Sequence, residues 1–176
     1  MRPEQIELEA QKLLQKAGVV KLPVALRRLA KKLGATVRYE PYPQDEQGLS
    51  GILFREGDKT IIGVNALHAK TRRRFTIAHE IGHMVLHKQD ALFVDGSFLV
   101  HKRDRKSSQA TDLKEIQANQ FAAALLMPRT LLEKRAKKED LLSLKSVIEL
   151  ASEFGVSTEA MTFRLTNLGY QINQTG

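Results

Sequence analysis

Two histidines and a glutamate lie close together in the segment TIAHEIGHMVLH, which runs from Thr76 to His87. His79 and His83 are four residues apart, and a helix places such residues on one face, one turn apart. Their imidazoles can therefore bind one metal ion, and Glu80 can accept a proton from a water molecule that the ion activates. The segment predicts a hydrolytic metal centre with His79 and His83 as ligands and Glu80 as the general base. The alternative is a helix that only carries polar side chains.

His87 is the third histidine of the segment, and helix geometry argues against it as a third ligand. It lies eight residues beyond His79, about 12 Å along the helix axis. Two nitrogens on one tetrahedral zinc are only about 3.5 Å apart. We therefore expect His87 beside a ligand or in the packing around it, and His68 and His101 at the surface. Gly82 lies inside the motif at a cost of about 1 kcal/mol relative to alanine, which the close approach of another backbone would explain.

Glu115, in the segment DLKEIQANQFAAALLMP, is the candidate third ligand. The segment has a helical pattern in which Glu115, Asn119 and Ala122 share one face, so small residues could let it pack closely against the histidines. Asn119 could then hydrogen-bond a ligand histidine. A solvent-exposed glutamate that favours the helix dipole explains Glu115 equally well, and spacing alone leaves both interpretations open. A His₂Glu set suits Zn²⁺, with Mn²⁺ and Fe²⁺ as alternatives.

The elements that must position these residues are predicted from periodicity and turn residues. Helices are expected at about 4–17, 23–33, 71–87, 112–126 and 129–138, followed by two short helices before Gly169. Strands are expected at ATVRYEPY and at about 49–55 and 59–65, and residues 88–111, which contain HKRDRK, are expected to form a surface loop. This order predicts an α+β fold with a small antiparallel sheet packed against helices.

Composition restricts the class of protein further. A chain of 176 residues suits one domain with a small appended unit. It contains no cysteine, which excludes a disulfide scaffold and a thiolate zinc site and fits a cytoplasmic location. We expect no secretion signal, no membrane helix and no organic cofactor. The net charge of +8 favours acidic partners, nucleic acid among them, although solubility is the simpler explanation.

The C-terminal segment LASEFGVSTEAMTFRL has the pattern of a helix-turn-helix, with Gly155 in the turn. Such a unit can place its second helix in a DNA groove. That helix, 158–167, offers only Arg164 as a long basic side chain, so a packing unit beside the main domain is the favoured interpretation. Binding of DNA or of a repressor protein are the alternatives.

The segments FTIAHEIGHMVLH and EIQANQFAAALLMP together resemble the ImmA/IrrE family of zinc-dependent metallopeptidases. LPVALRRLAKKLGATVRY, the SGILF and IIGVN strands and ASEFGVSTEAMTFRLTNLG extend the resemblance to most of the chain. It implies a zincin-like, gluzincin-type fold at 1–130, a helix-turn-helix-like unit at 131–176, His79, His83 and Glu115 as zinc ligands, and Glu80 as general base. The family's usual second glutamate, two residues after the ligand, is Gln117 here.

The resemblance also implies a regulatory role. Family members resemble antirepressors that cleave or otherwise inactivate a helix-turn-helix repressor in mobile elements, phages or stress responses. We therefore expect a protein substrate of this kind and peptide-bond hydrolysis. The alternative is a non-proteolytic regulator that binds a repressor or DNA and carries a structural or sensing zinc. For the oxyanion donor of the enzyme, His87, Tyr39 and Tyr170 are the candidates.

Overall fold

The chain folds into helices and short strands, as seen in a computed structural model that describes residues 1–19, 21–41, 50–56, 59–87, 92–95, 105–136 and 142–173. The helices are α1 (Pro3–Lys16), α2 (Leu26–Lys32), α3 (Lys70–Leu86), α4 (Arg105–Leu126), α5 (Arg129–Arg135), α6 (Leu144–Phe154) and α7 (Thr158–Asn167). The strands are β1 (Ala35–Glu40), β2 (Gly51–Glu56), β3 (Lys59–Asn65), β4 (Leu92–Asp95), β5 (Leu142–Ser143) and β6 (Ile172–Asn173). The α+β class is confirmed.

The main sheet has the strand order β1-β3-β2-β4 and is mixed. β2 is antiparallel to β3, as the predicted hairpin requires, and it is also antiparallel to β4. In contrast, β1 is parallel to β3. The prediction of an antiparallel sheet is therefore wrong for this one pair. A hairpin is visible in sequence because its strands are neighbours along the chain. The β1–β3 pairing joins strands that another strand separates, so no local pattern indicates its direction.

The interval 88–111, which was expected to be irregular, contains β4 and the first turns of α4. β4 exists because it forms a ladder with β2, more than thirty residues earlier, with Gly51 opposite Asp95. A strand of four residues has too little alternation to be predicted from sequence. His101 and residues 101–104 of the HKRDRK run lie outside the described part of the chain, so the expectations for them stay predictions.

α3 is the central helix of the fold. It contacts α2 and α4 as well as strands β2 and β3, and every residue from Thr76 to His83 is buried. The tightest helix pair is α3 with α4, and α1 covers α4 on another side. The polar motif of α3 is therefore enclosed by protein. Among the described helices, none is long and apolar enough to cross a membrane.

The C-terminal helices α6 and α7 pack against each other and are joined by a tight turn at Gly155. Gly155 has φ +67°, a left-handed conformation that glycine adopts without strain. Ser143 and Ser157 cap α6 and α7 by accepting hydrogen bonds from backbone N–H groups. Apolar side chains from α1 through α7 share one buried cluster. The division at residue 130 stays a prediction.

Candidate metal centre

His79, Glu80 and His83 lie on the buried part of α3, with exposed fractions of 3%, 0% and 1%. Buried histidine and glutamate side chains are costly unless they are paired or bind a metal ion. This cost arises at three positions within five residues of one helix. The burial of all three side chains therefore indicates a functional site and not ordinary core packing.

Glu115 lies on α4 directly opposite the two histidines. Its Oε2 is 3.1 Å from His79 Nε2 and its Oε1 is 3.2 Å from His83 Nε2. The two Nε2 atoms are themselves 3.0 Å apart. Three side chains from two helices therefore bring their donor atoms to one point. Ligand atoms of a tetrahedral zinc at about 2.0–2.1 Å are separated by a similar distance, roughly 3.3–3.5 Å.

Gly82 explains why α4 can come close enough to supply Glu115. A Cβ atom at position 82 would lie 3.2 Å from both the Cα and the carbonyl oxygen of Ala118, and 3.3 Å from a ring carbon of Phe121. The absence of a side chain at Gly82 thus lets the backbone of α4 approach α3. The expectation that a neighbouring backbone accounts for this glycine is confirmed.

Asn119 orients the first histidine. Its Oδ1 lies 2.8 Å from His79 Nδ1, so the ring donates Nδ1–H to the amide oxygen and keeps the lone pair of Nε2 directed at the centre. Glu115 and Asn119, one turn apart on α4, therefore contact opposite sides of the same imidazole. The predicted contact of Asn119 with His79 is present, and its role in orienting a metal ligand stays a prediction.

The charges of the three groups suit a divalent cation. Burial lowers the pKa of His83 below its ordinary value, although a hydrogen bond to Glu115 raises it in part. Burial raises the pKa of Glu115, but contacts with His79 and His83 outweigh this effect and hold the pKa at about 2. The carboxylate is thus ionised, and the lowered pKa of His83 favours the neutral imidazole that can act as a ligand. A divalent cation would take the place of the protons that these groups share, so the residues fit a metal.

Glu80 lies between α3 and the sheet, next to β2. A Cβ atom at Gly51 would come within 3.0 Å of Glu80 Oε1 and would overlap the Thr76 methyl group. Gly51 therefore makes room for the Glu80 carboxylate. The single signal for this role of Gly51 in the sequence is its position at the start of a strand, where glycine often marks a close approach.

The three candidates for oxyanion donor have different positions. The His87 ring centroid is 5.4 Å from that of His83, and its Nε2 lies 3.3 Å from the carbonyl oxygen of Lys114. Tyr170 is buried and donates its hydroxyl to the carbonyl oxygen of Ala136, and Tyr39 lies on β1 beside two arginines. His87 therefore lies beside His83, while the two tyrosines contact other parts of the molecule, and a role of His87 next to a metal ligand stays a prediction.

Arg164, the basic residue that could have faced DNA, points into the protein. Its guanidinium lies 2.7 and 2.8 Å from the two carboxylate oxygens of Glu7 and donates to the carbonyl oxygen of Met127. It is 9% exposed. α7 therefore presents no basic side chain to a partner.

Comparison with known proteins agrees with the geometry. Residues 30–166 match the peptidase M78 family, described as the IrrE N-terminal-like domain. The radiation response metalloprotease IrrE of Deinococcus radiodurans is 29% identical over 109 residues, which are 62% of this chain and 31% of that protein. The chain thus spans about a third of the length of this relative.

A solved structure shows a related fold. A Mycobacterium tuberculosis transcriptional regulator superposes with a TM-score of 0.61 at 20% identity, over 93% of this chain and 46% of the regulator. The family match covers the four strands of the main sheet, α3 and α4, and therefore His79, His83 and Glu115. The chain belongs to the ImmA/IrrE family, whose shared unit is the IrrE N-terminal-like domain.

Proposed function

We propose that this protein is a zinc-dependent metallopeptidase of restricted substrate range with a zincin-like, gluzincin-type fold and a C-terminal helix-turn-helix-like unit. The observation that carries the proposal is the meeting of His79, His83 and Glu115 with 3.0–3.2 Å between their donor atoms, beside a fully buried Glu80. Membership of a peptidase family supports it.

His79, His83 and Glu115 would hold the zinc ion. The chemistry that zinc supplies when bound is Lewis acidity, which polarises a scissile carbonyl and lowers the pKa of water. Asn119 keeps His79 in the tautomer whose Nε2 can act as a ligand. Gly82 and Gly51 hold the neighbouring helix and strand close, so that water has little access to the buried side of the site.

Glu80 would act as the proton carrier of the reaction. Its carboxylate accepts the proton of the attacking water and then passes it to the leaving amine. Glu80 follows a ligand directly in sequence, and its burial holds it in place against β2. A purely structural metal site has no need of an acid–base group there, which favours the enzyme over a non-proteolytic regulator.

The proposed substrate is a helix-turn-helix transcriptional repressor, cleaved in a phage, mobile-element or stress response in the cytoplasm. Support comes from family membership and from a relative named as a metalloprotease of a radiation response. The competing function is binding of a repressor or DNA with a structural or sensing zinc, which the net charge of +8 favours. The inward position of Arg164 weakens the DNA version of that alternative.

Glu80→Gln separates the two functions. The substitution keeps the shape of the side chain and removes its basicity, so zinc content should stay at one ion per chain while peptide hydrolysis falls about 10²- to 10⁴-fold. Glu149→Gln, an exposed change on α6, is the matched control and should preserve activity. Protein N-termini would be compared in cells producing either variant or the wild type.

A new N-terminus inside a helix-turn-helix repressor, present with the wild type and with Glu149→Gln but absent with Glu80→Gln, is the expected result. Full antirepression by Glu80→Gln would overturn the enzymatic account and leave the binding function. Cleavage of a protein other than a repressor would keep the enzyme and refute the proposed substrate.

A further inference from the structure

A cavity lies between α2, β1 and α3, and His79, His83 and Glu115 do not line it. Its volume is about 490 Å³, within the range of about 300–1,000 Å³ typical of small-molecule sites. Five of its nine lining residues are cationic and none is acidic: Arg27, Arg28, Lys70, Arg73 and Arg74. The remaining lining residues are Ala25, Leu26, Tyr39 and Ile77. The cavity therefore combines an apolar wall with concentrated positive charge.

One face of α3 supplies much of this charge. Lys70, Arg73, Arg74 and Ile77 recur at helical spacing, and the first three belong to the first turns of the helix. The N-terminal end of a helix is the positive end of its dipole, where cations are unfavourable and acidic residues are preferred. α3 has no acidic residue in its first turn. The arginines and the lysine therefore lower helix stability unless an anion is bound nearby.

The cations lack compensating charge among the described residues. None of the five forms an ion pair with the part of the chain that the structure describes. Arg73 Nε and Arg74 Nη2 are buried, and neither has a hydrogen-bond partner there. Burial lowers the pKa of Arg74, which shows that its charge is poorly solvated. Such a cluster gains stability from a ligand of high negative charge.

Arg74 and Tyr39 give the cavity a fixed shape. Arg74 donates to the carbonyl oxygens of Gly155 and Val24, so it ties α3 to the α6–α7 turn and to the segment before α2. The guanidinium groups of Arg27 and Arg73 lie 5.8 and 5.6 Å from the centre of the Tyr39 ring. Two arginines of the cavity lining are therefore held against one aromatic ring, and guanidinium groups can bind phosphate oxygens through paired N–H donors.

We propose that the α2–β1–α3 cavity binds a small organic phosphate of about the size of a nucleotide. Phosphate fits the arginine cluster because guanidinium donors pair with its oxygens in a two-pronged geometry. A free phosphate ion would fill only a small part of 490 Å³, and the apolar wall suits a carbon-containing body. Nine residues line a site of this volume, which matches one small molecule, whereas the extended backbone of a nucleic acid would need contacts beyond them.

The test uses the full chain and four probes: ATP, pyrophosphate, adenosine and a short single-stranded oligonucleotide. Binding would be measured by calorimetry with EDTA present, so that phosphate contacts with a metal ion at His79 and His83 are excluded. We expect saturable binding of ATP, weaker binding of pyrophosphate and no detectable binding of adenosine. ATP affinity should fall as ionic strength rises.

The double substitution Arg27→Gln and Arg73→Gln should weaken ATP binding by about tenfold or more, because each removes a guanidinium that donates charge-assisted hydrogen bonds to phosphate. Arg38→Gln removes the same charge from the exposed, opposite face of β1 and should change the affinity by less than about twofold. Unchanged zinc content and thermal unfolding in the double variant would show that the fold is intact.

Three results would overturn the proposal. One is the absence of saturable ATP binding to the wild type. Another is an equal loss with Arg38→Gln, which would indicate nonspecific attraction to a basic protein. The third is an oligonucleotide that displaces ATP and binds more tightly, which would assign the cavity to nucleic acid. None of these depends on peptidase activity, so this proposal and the proposed function can fail separately.

Discussion

The α3–α4 pair and the α6–α7 pair treat their polar side chains in opposite ways. In α3–α4, His79, His83 and Glu115 meet at one point and expose donor atoms to a shared centre. In α6–α7, Arg164 points into the protein, where its guanidinium pairs with Glu7 and donates to the backbone carbonyl oxygen of Met127. In the sequence, both helix pairs carry a motif that suggests a function. What lies opposite each side chain, and not its type, separates a binding group from a structural one.

The difference has a simple electrostatic cause. Arg164 is a buried cation that already has a carboxylate and a carbonyl oxygen as acceptors, so its hydrogen-bonding capacity is satisfied within the chain. His79, His83 and Glu115 contact one another and carry lone pairs that a divalent cation can accept, so this cluster still has binding capacity for a partner from outside the chain. Substitutions in the two helix pairs should therefore have different consequences: loss of metal binding in α3–α4 and loss of stability in α6–α7.

His83→Ala should abolish stoichiometric zinc binding, because it removes one of three ligands from the α3–α4 centre. Elemental mass spectrometry on dialysed protein should give less than about a tenth of the wild-type zinc content. Arg164→Gln is the comparison in the other helix pair and should retain one zinc per chain. Normal zinc in His83→Ala would refute the ligand assignment.

Arg164→Gln should instead lower the free energy of unfolding by about 3 kcal/mol, because Glu7 loses its partner and Met127 its donor. Arg129→Gln breaks an exposed pair with Glu133, whose atoms are 3.7 Å apart, and should cost less than about 0.5 kcal/mol. Urea unfolding of both variants measures the contrast. Equal losses would mean that the inward position of Arg164 has no special energetic value.

Asn119→Ala should weaken zinc binding by about 10- to 100-fold while leaving the fold intact, because His79 loses the acceptor that fixes its tautomer. Competition with a fluorescent chelator gives the affinity. Gln117→Ala, two residues away on α4, is the control and should alter the affinity by less than about twofold. If both variants bind like the wild type, Asn119 does not orient the ligand.

Gly82→Ala should destabilise the protein by about 1 kcal/mol, although alanine favours helices, because the new methyl group presses against the backbone of Ala118. Ser152→Ala on the exposed side of α6 is the control and should be neutral or slightly stabilising. Thermal unfolding measures both. A stabilised Gly82→Ala variant would show that α4 can move away without cost.

Much of the fold was predictable where the signal is local. The bounds of β3 were predicted to the residue, and those of α1 and α3 to within one residue, because periodicity and capping act over a few positions. β4, the parallel β1–β3 pair and the early start of α4 were not predicted. Strand pairing and burial connect residues far apart in sequence, and no local pattern encodes them.

The sequence by itself determined which side chains share the central face of α3. The spacing of His79 and His83 places both on one helix face, and Glu80 directly follows His79. Tertiary structure alone decided three other points: that Glu115 faces the histidines, that Arg164 is a core ion pair, and that five cations surround one cavity. Helix geometry fixes which residues share one face within a turn, so the sequence determines it. Which residues of separate elements meet depends on how those elements pack, so only the tertiary structure decides it.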